Sequence, residues 1–78
     1  MVRQTQADVI RAVVLEAEQI IQLKRDGKNL EANEIIKSGK WTAVLNGKVL
    51  VKGLVEIRAN EQNDYDVFIA GYRVHLPF

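Results

Sequence analysis

The segment KWTAVLNGKVLVKGLVEIRANEQNDYDVFIAGYRVHL, residues 40–76, decides the fold of this 78-residue chain. Its apolar residues recur with a period of two, which is typical of β-strands. Asn46-Gly47 separates two apolar runs and is a strong signal for a tight hairpin. The polar stretch NEQND, residues 60–64, predicts a second turn. The segment therefore predicts a three-stranded antiparallel β-meander, with one short strand followed by two long ones.

These two turns also imply a pairing register, because the turn length fixes which residues face each other. The predicted cross-strand pairs are Val44–Val49, Val55–Ile69, Ile57–Val67, Ala59–Tyr65, Arg58–Asp66 and Gly53–Gly71. One pair joins opposite charges and another joins two glycines. Both features support the register.

Two helices are expected ahead of the sheet. In TQADVIRAVVLEAEQIIQLKRDG, residues 5–27, the apolar positions form one stripe at helical spacing, so a long amphipathic helix is predicted. Lys24 and Arg25 suit its last turn, and Gly27 suits the position beyond it. NLEANEIIKSG, residues 29–39, predicts a short second helix capped by Asn29, and the alternative is that β-branched Ile35 and Ile36 lead into a strand. The fold class is therefore α+β, in a single domain spanning residues 1–78.

Composition excludes several classes of site. The chain has no cysteine, one histidine and a net charge of +1, so disulfides, thiolate metal sites and a strongly basic surface are not expected. No cofactor or metal is predicted. Absent cysteines and the lack of a visible secretory signal are compatible with a cytoplasmic protein.

No catalytic constellation is visible. His75 is the only histidine and Ser38 the only serine, so a nucleophile paired with a base would need a long-range coincidence. The best carboxylate pair along the first helix, Glu16 and Glu18, points in different directions and is interpreted as solvated charge. We therefore expect a non-enzymatic protein with no catalytic residues.

The predicted sheet has apolar residues on both faces, and the long helix can cover only one. The second face is expected to form an interface, since uncovered apolar patches usually mark contact surfaces. A homodimer is the simplest occupant, and a different protein partner is also open. A monomer whose sheet curls at Gly53 and Gly71 is the remaining reading. The predicted interface residues are Trp41, Leu50, Leu54, Phe68, Tyr72 and Val74.

The same face suggests an alternative function. Aromatic side chains interleaved with basic ones on an open sheet can stack single-stranded bases and hold the phosphate backbone. The residues predicted for such nucleic-acid contact are Trp41, Lys52, Arg58 and Tyr72. The near-zero net charge favours the protein interface instead, because phosphate contacts dominate nucleic-acid affinity.

One local resemblance can be drawn. The segment ANEIIKSGKWTAVLNG, residues 32–47, resembles small phage repressors of the Cro type in having a helix that runs into a hairpin with lysines. Those repressors place a helix-turn-helix of short helices ahead of the sheet. This sequence has one long helix there, so the resemblance does not imply DNA binding.

Overall fold

The computed structural model of the chain describes residues 6–74, so the candidate residue His75 lies outside the described range. Helix α1 spans Gln6–Arg25 and helix α2 spans Asn29–Ser38. The strands that follow are β1 Thr42–Val44, β2 Val49–Lys52, β3 Val55–Ala59, β4 Tyr65–Ile69 and β5 Tyr72–Val74. They form one antiparallel sheet in the order β1-β2-β3-β4-β5. The α+β class is confirmed.

Both predicted helices are present. α1 buries Ala17, Ile20 and Ile21 completely, as its apolar stripe predicts, and packs on β3 and β4. Gly27 follows its end in the left-handed conformation. α2 packs on α1 and buries Ala32. Its predicted cap at Asn29 is wrong, because the helix begins there and the preceding residue makes no side-chain capping bond.

The sheet has five strands, so the prediction of three is wrong. Each of the two long strands predicted from the sequence folds back on itself. Gly53-Leu54 forms a two-residue turn between Lys52 and Val55. A left-handed glycine at the first turn position suits such a hairpin, because it matches the twist of the flanking strands.

The second reversal lies at Ala70-Gly71, between Ile69 and Tyr72. Both turn residues have positive φ, which is the type I′ arrangement. Gly53 and Gly71 therefore stand in separate turns and do not face each other within a sheet. The predicted pair of glycines is wrong, whereas the pairs on either side of residues 60–64 and at the first hairpin are confirmed.

These extra turns change which residues share a face. Across the turn at residues 53–54, even-numbered residues of β2 pair with odd-numbered residues of β3. Leu50 therefore lies opposite Ile57, and the two side chains point to the same face of the sheet. Leu50, Ile57, Val55 and Val67 are buried together against α1. Among residues 6–74, neither helix has the length and apolar character needed to cross a membrane.

Candidate interaction surface

The side of the sheet that faces away from α1 is the main surface left open by the fold. We call it the open face. Two cross-strand rows build it, because antiparallel partners point to the same side. The rows are Thr42, Val51, Glu56, Phe68 and Arg73, and Val44, Val49, Arg58 and Asp66.

One half of the open face is aliphatic. Val44, Val49 and Val51 lie side by side on β1 and β2, and we call them the valine patch. Val44 is 40% exposed and the other two are half-buried. Small β-branched side chains suit a strand, and α1 packs mainly on β3 and β4, on the other side of the sheet.

The other half carries charges that neutralise one another. Arg58 contacts Glu56 at 2.6 Å between Nη2 and Oε2, and its guanidinium lies 4.1 Å from the centre of the Phe68 ring. Arg73 and Asp66 approach to 3.3 Å. Arg58 and Asp66 are cross-strand neighbours, as predicted. They do not form an ion pair with each other, because Arg58 pairs with Glu56 and Asp66 pairs with Arg73. The two arginines and two carboxylates leave the open face without net charge.

The predicted interface residues do not form one surface. Trp41 is 7% exposed and belongs to the core, together with Leu50. Leu54 lies in the turn between β2 and β3, 48% exposed, and Tyr72 begins β5, 78% exposed. Only Phe68 lies on the open face. The sixth residue, Val74, is paired with Val67 and so points to the side that α1 covers.

The predicted nucleic-acid contacts are also separated. Trp41 and Lys52 both reach across to helix α1, whereas Arg58 lies over Phe68 on the open face. Tyr72 stands near the opposite end of the strand order from Trp41. Lys52 and Tyr72 do share a cross-strand row, through Val55 and Ile69, but the turn at Gly53-Leu54 places Arg58 on the other side of the sheet.

Glu16 organises a small polar cluster that the sequence interpretation missed. Its Oε1 accepts a hydrogen bond from Trp41 Nε1 at 2.6 Å and another from Lys52 Nζ at 3.0 Å. Gly39 lies against the same carboxylate, and a Cβ there would collide with it. Only one weak feature of the sequence indicated this cluster: Glu16 directly precedes Ala17, a buried position on the apolar stripe of α1. The cluster connects α1 to the sheet, and we interpret its role as structural.

A second polar tie joins the end of α1 to the loop between β3 and β4. Arg25 Nε lies 2.8 Å from Asp64 Oδ1, and the same oxygen accepts the backbone N–H of Tyr65. The hydrogen bond from Arg25, with that of the Tyr65 N–H, lowers the pKa of Asp64 below its ordinary value of 3.8. Both side chains are partly exposed, so the pair contributes no more than about 1 kcal/mol.

This pair predicts an acid-dependent contribution to stability. The pKa of Asp64 is lower in the folded protein, so the contribution is fully present above pH 3.8 and is lost as pH falls through the folded value. Asp64→Asn should therefore destabilise the protein at neutral pH, and the difference from wild type should shrink in acid. Urea titrations of both proteins across this range measure it, with Arg25→Gln as the matched partner variant. A difference that is constant with pH would contradict the assignment.

The acidic side chains of the described residues do not form a metal site. Within residues 6–74, no three His, Cys, Asp or Glu side chains gather closely enough to hold a metal ion. Comparisons with protein families, with curated proteins and with solved structures gave no match.

Proposed function

We propose that this protein is a small non-enzymatic interaction protein that forms a homodimer through the open face of its sheet. The observation that carries the proposal is the valine patch, which lies on the side of the sheet that faces away from α1, on the same face as the Phe68–Arg58 stack. An antiparallel sheet with one solvated face normally alternates apolar and polar residues, and this patch departs from that pattern. We include a cytoplasmic location in the proposal, on the cysteine-free composition alone.

The charges on the open face favour a second copy of this chain as the binding partner. In a two-fold interface the same patch meets itself, so a patch with net charge would repel its copy. The open face carries two pairs of opposite charges and no excess of either sign. This neutrality also argues against a nucleic-acid partner, which would need an excess of basic side chains.

The energetics of a small domain support association. A chain of this size hides only about 60% of its unfolded surface, and its stability is often supplemented by a partner chain. Burying about 300 Å² of apolar area on each chain, about 600 Å² in all, would contribute about 15 kcal/mol before association costs, at about 25 cal/mol per Å². Those costs are about 4–15 kcal/mol, so a stable dimer is within reach.

Val51→Lys is expected to convert the dimer into a monomer. The substitution buries an ammonium in the contact beside Glu56, whose carboxylate is already paired with Arg58, and so gives both copies of the open face an excess positive charge. The dissociation constant of the dimer should rise at least roughly a hundredfold. Light scattering and sedimentation equilibrium over a range of micromolar concentrations measure the mass. Leu15→Lys, on the outward side of α1, is the control because its side chain is exposed and lies away from the sheet.

Two results would overturn the proposal. One is a wild-type protein that stays monomeric at every concentration tested. The other is a dimer that Val51→Lys leaves intact while Leu15→Lys breaks it, which would move the interface to helix α1. An oligonucleotide binding assay on the monomeric protein then tests the alternative of single-stranded nucleic-acid binding.

A further inference from the structure

We propose that the outer edge of strand β1 accepts an extended acidic segment of a partner protein as an additional strand. β1 is the first strand in the sheet order, and no segment among residues 6–74 pairs with its outer side. Addition of a strand to a sheet edge is a common mode of peptide recognition, in which main-chain hydrogen bonds supply affinity. The proposal concerns the edge of the sheet and is independent of the dimer through the open face.

The hydrogen-bonding pattern shows which backbone groups of β1 point outward. The N–H of Ala59 donates to the carbonyl of Lys48 at 3.1 Å, so this carbonyl points toward β3, whereas the N–H of Lys48 donates to Leu45 within the turn. Backbone groups alternate sides along a strand, so those of Val49 and Val51 point toward β1. On β1, Val44 pairs with Val49 and Thr42 pairs with Val51. The N–H and C=O of the residue between them therefore point away from the sheet.

That residue is Ala43, whose side chain is exposed and small. Strand β1 contains no charged residue and no proline, the features that proteins commonly use to protect an edge. The opposite edge differs. By the same alternation, the outward residue of β5 is Arg73, which carries a charge.

The surroundings of β1 select the sign of the partner's charge. Residues 35–55 contain four lysines and no aspartate or glutamate. Lys40 and Lys48 stand at the two ends of β1, both exposed, and neither forms an ion pair within the described part of the chain. A cavity of about 430 Å³ opens at the start of the strand; Lys40 and Thr42 line it, together with the Glu16 carboxylate, which is neutralised by Lys52. Acidic side chains on an added strand would meet these ammonium groups.

The same lysines disfavour a second copy at this edge. Antiparallel pairing of β1 with itself about Ala43 places Lys40 of one copy near Lys48 of the other, twice per dimer. Like charges in neighbouring cross-strand positions are destabilising. Flanking lysines are therefore compatible with an acidic strand and unfavourable for self-pairing.

The test uses a short fluorescein-labelled peptide of alternating valine and glutamate, with fluorescence anisotropy as the readout. We expect binding by the wild-type protein and by Leu15→Lys, because Leu15 lies exposed on helix α1, outside the sheet. A peptide with alternate backbone nitrogens methylated should bind at least about tenfold more weakly, since it keeps the charge and loses edge pairing. A peptide of alternating valine and lysine should not bind.

Two protein variants locate the contact. Ala43→Pro removes the outward N–H without removing a hydrogen bond to β2, and should weaken peptide binding at least about tenfold. Arg73→Pro makes the equivalent change at the opposite edge and should leave binding unchanged. If circular dichroism shows that Ala43→Pro does not fold, the methylated peptide on wild-type protein decides the question. Lys40→Glu combined with Lys48→Glu should abolish binding.

Several results would overturn the proposal. Equal binding of the methylated and unmodified peptides would show that charge alone attracts them. Tighter binding of oligodeoxythymidylate than of the peptide would identify a basic surface for nucleic acid. No peptide binding at all would remove the edge as a site, and it would leave the proposed dimer untouched.

Discussion

Truncation of Ile57 to alanine is expected to destabilise the protein by about 2–5 kcal/mol. Ile57 lies at the centre of the buried layer, 1% exposed, between Leu50 on β2 and Val67 on β4. Removing most of its side chain leaves a cavity that rigid neighbouring strands cannot fill. A domain of this size has a total stability of about 4–12 kcal/mol, so the variant should be partly unfolded at room temperature or close to it.

Denaturant titration monitored by circular dichroism measures this change. Ile57→Val removes a single methylene group at the same site and should cost only about 0.5–1.5 kcal/mol. Leu30→Ala, on the exposed side of α2, should change the free energy of unfolding by less still. If Ile57→Ala costs no more than Leu30→Ala, then β3 does not occupy the centre of the core, and the five-stranded arrangement is wrong.

Replacement of Glu16 by alanine is expected to have the second-largest effect, about 1–3 kcal/mol. The Glu16 carboxylate receives the indole N–H of Trp41 and the ammonium of Lys52. Without it, a buried N–H donor has no acceptor, which is more costly than the loss of an ordinary surface hydrogen bond. Glu16→Gln is the matched variant, because its amide oxygen can still accept from Trp41 while the charge is lost. It should cost less than Glu16→Ala.

Trp41 is the only tryptophan in the chain, so its fluorescence reports directly on this site. In Glu16→Ala the emission should shift to longer wavelength as the indole N–H turns to water, whereas Glu16→Gln should retain the wild-type spectrum. Equal stability and equal spectra for the two variants would show that the carboxylate is merely near the indole and does not hold it.

Helix α1 and the local hairpin pairings were predictable because each depends on short-range patterns. The apolar stripe of α1 specifies which side is buried, and Ile20 and Ile21 are indeed fully buried. The position of the loop at residues 60–64 was enough to predict the pairing of the strands on either side of it, and the predicted Ile57–Val67 pair is present. The cross-strand valine pair at the first hairpin is also confirmed.

The two further turns were not predictable in the same way. Gly53-Leu54 and Ala70-Gly71 lie within alternating apolar runs, and each such run could equally continue as one strand or reverse. A glycine inside a strand indicates a bend or a close approach as readily as a turn. Ala70 adopts positive φ although alanine rarely does, so this residue gave no local signal for reversal.

Composition and periodicity by themselves determined the class of fold, the buried side of α1 and the absence of thiol chemistry in this protein. Tertiary structure decided which side of the sheet each strand residue occupies. The physical reason is that side chains alternate between the two faces of a strand, so one added two-residue turn exchanges the faces of the residues before it relative to those after it. That exchange moved Leu50 into the core and brought Val49 and Val51 to the open face. It also left Trp41 buried against Glu16, a contact between residues that lie 25 positions apart in the sequence.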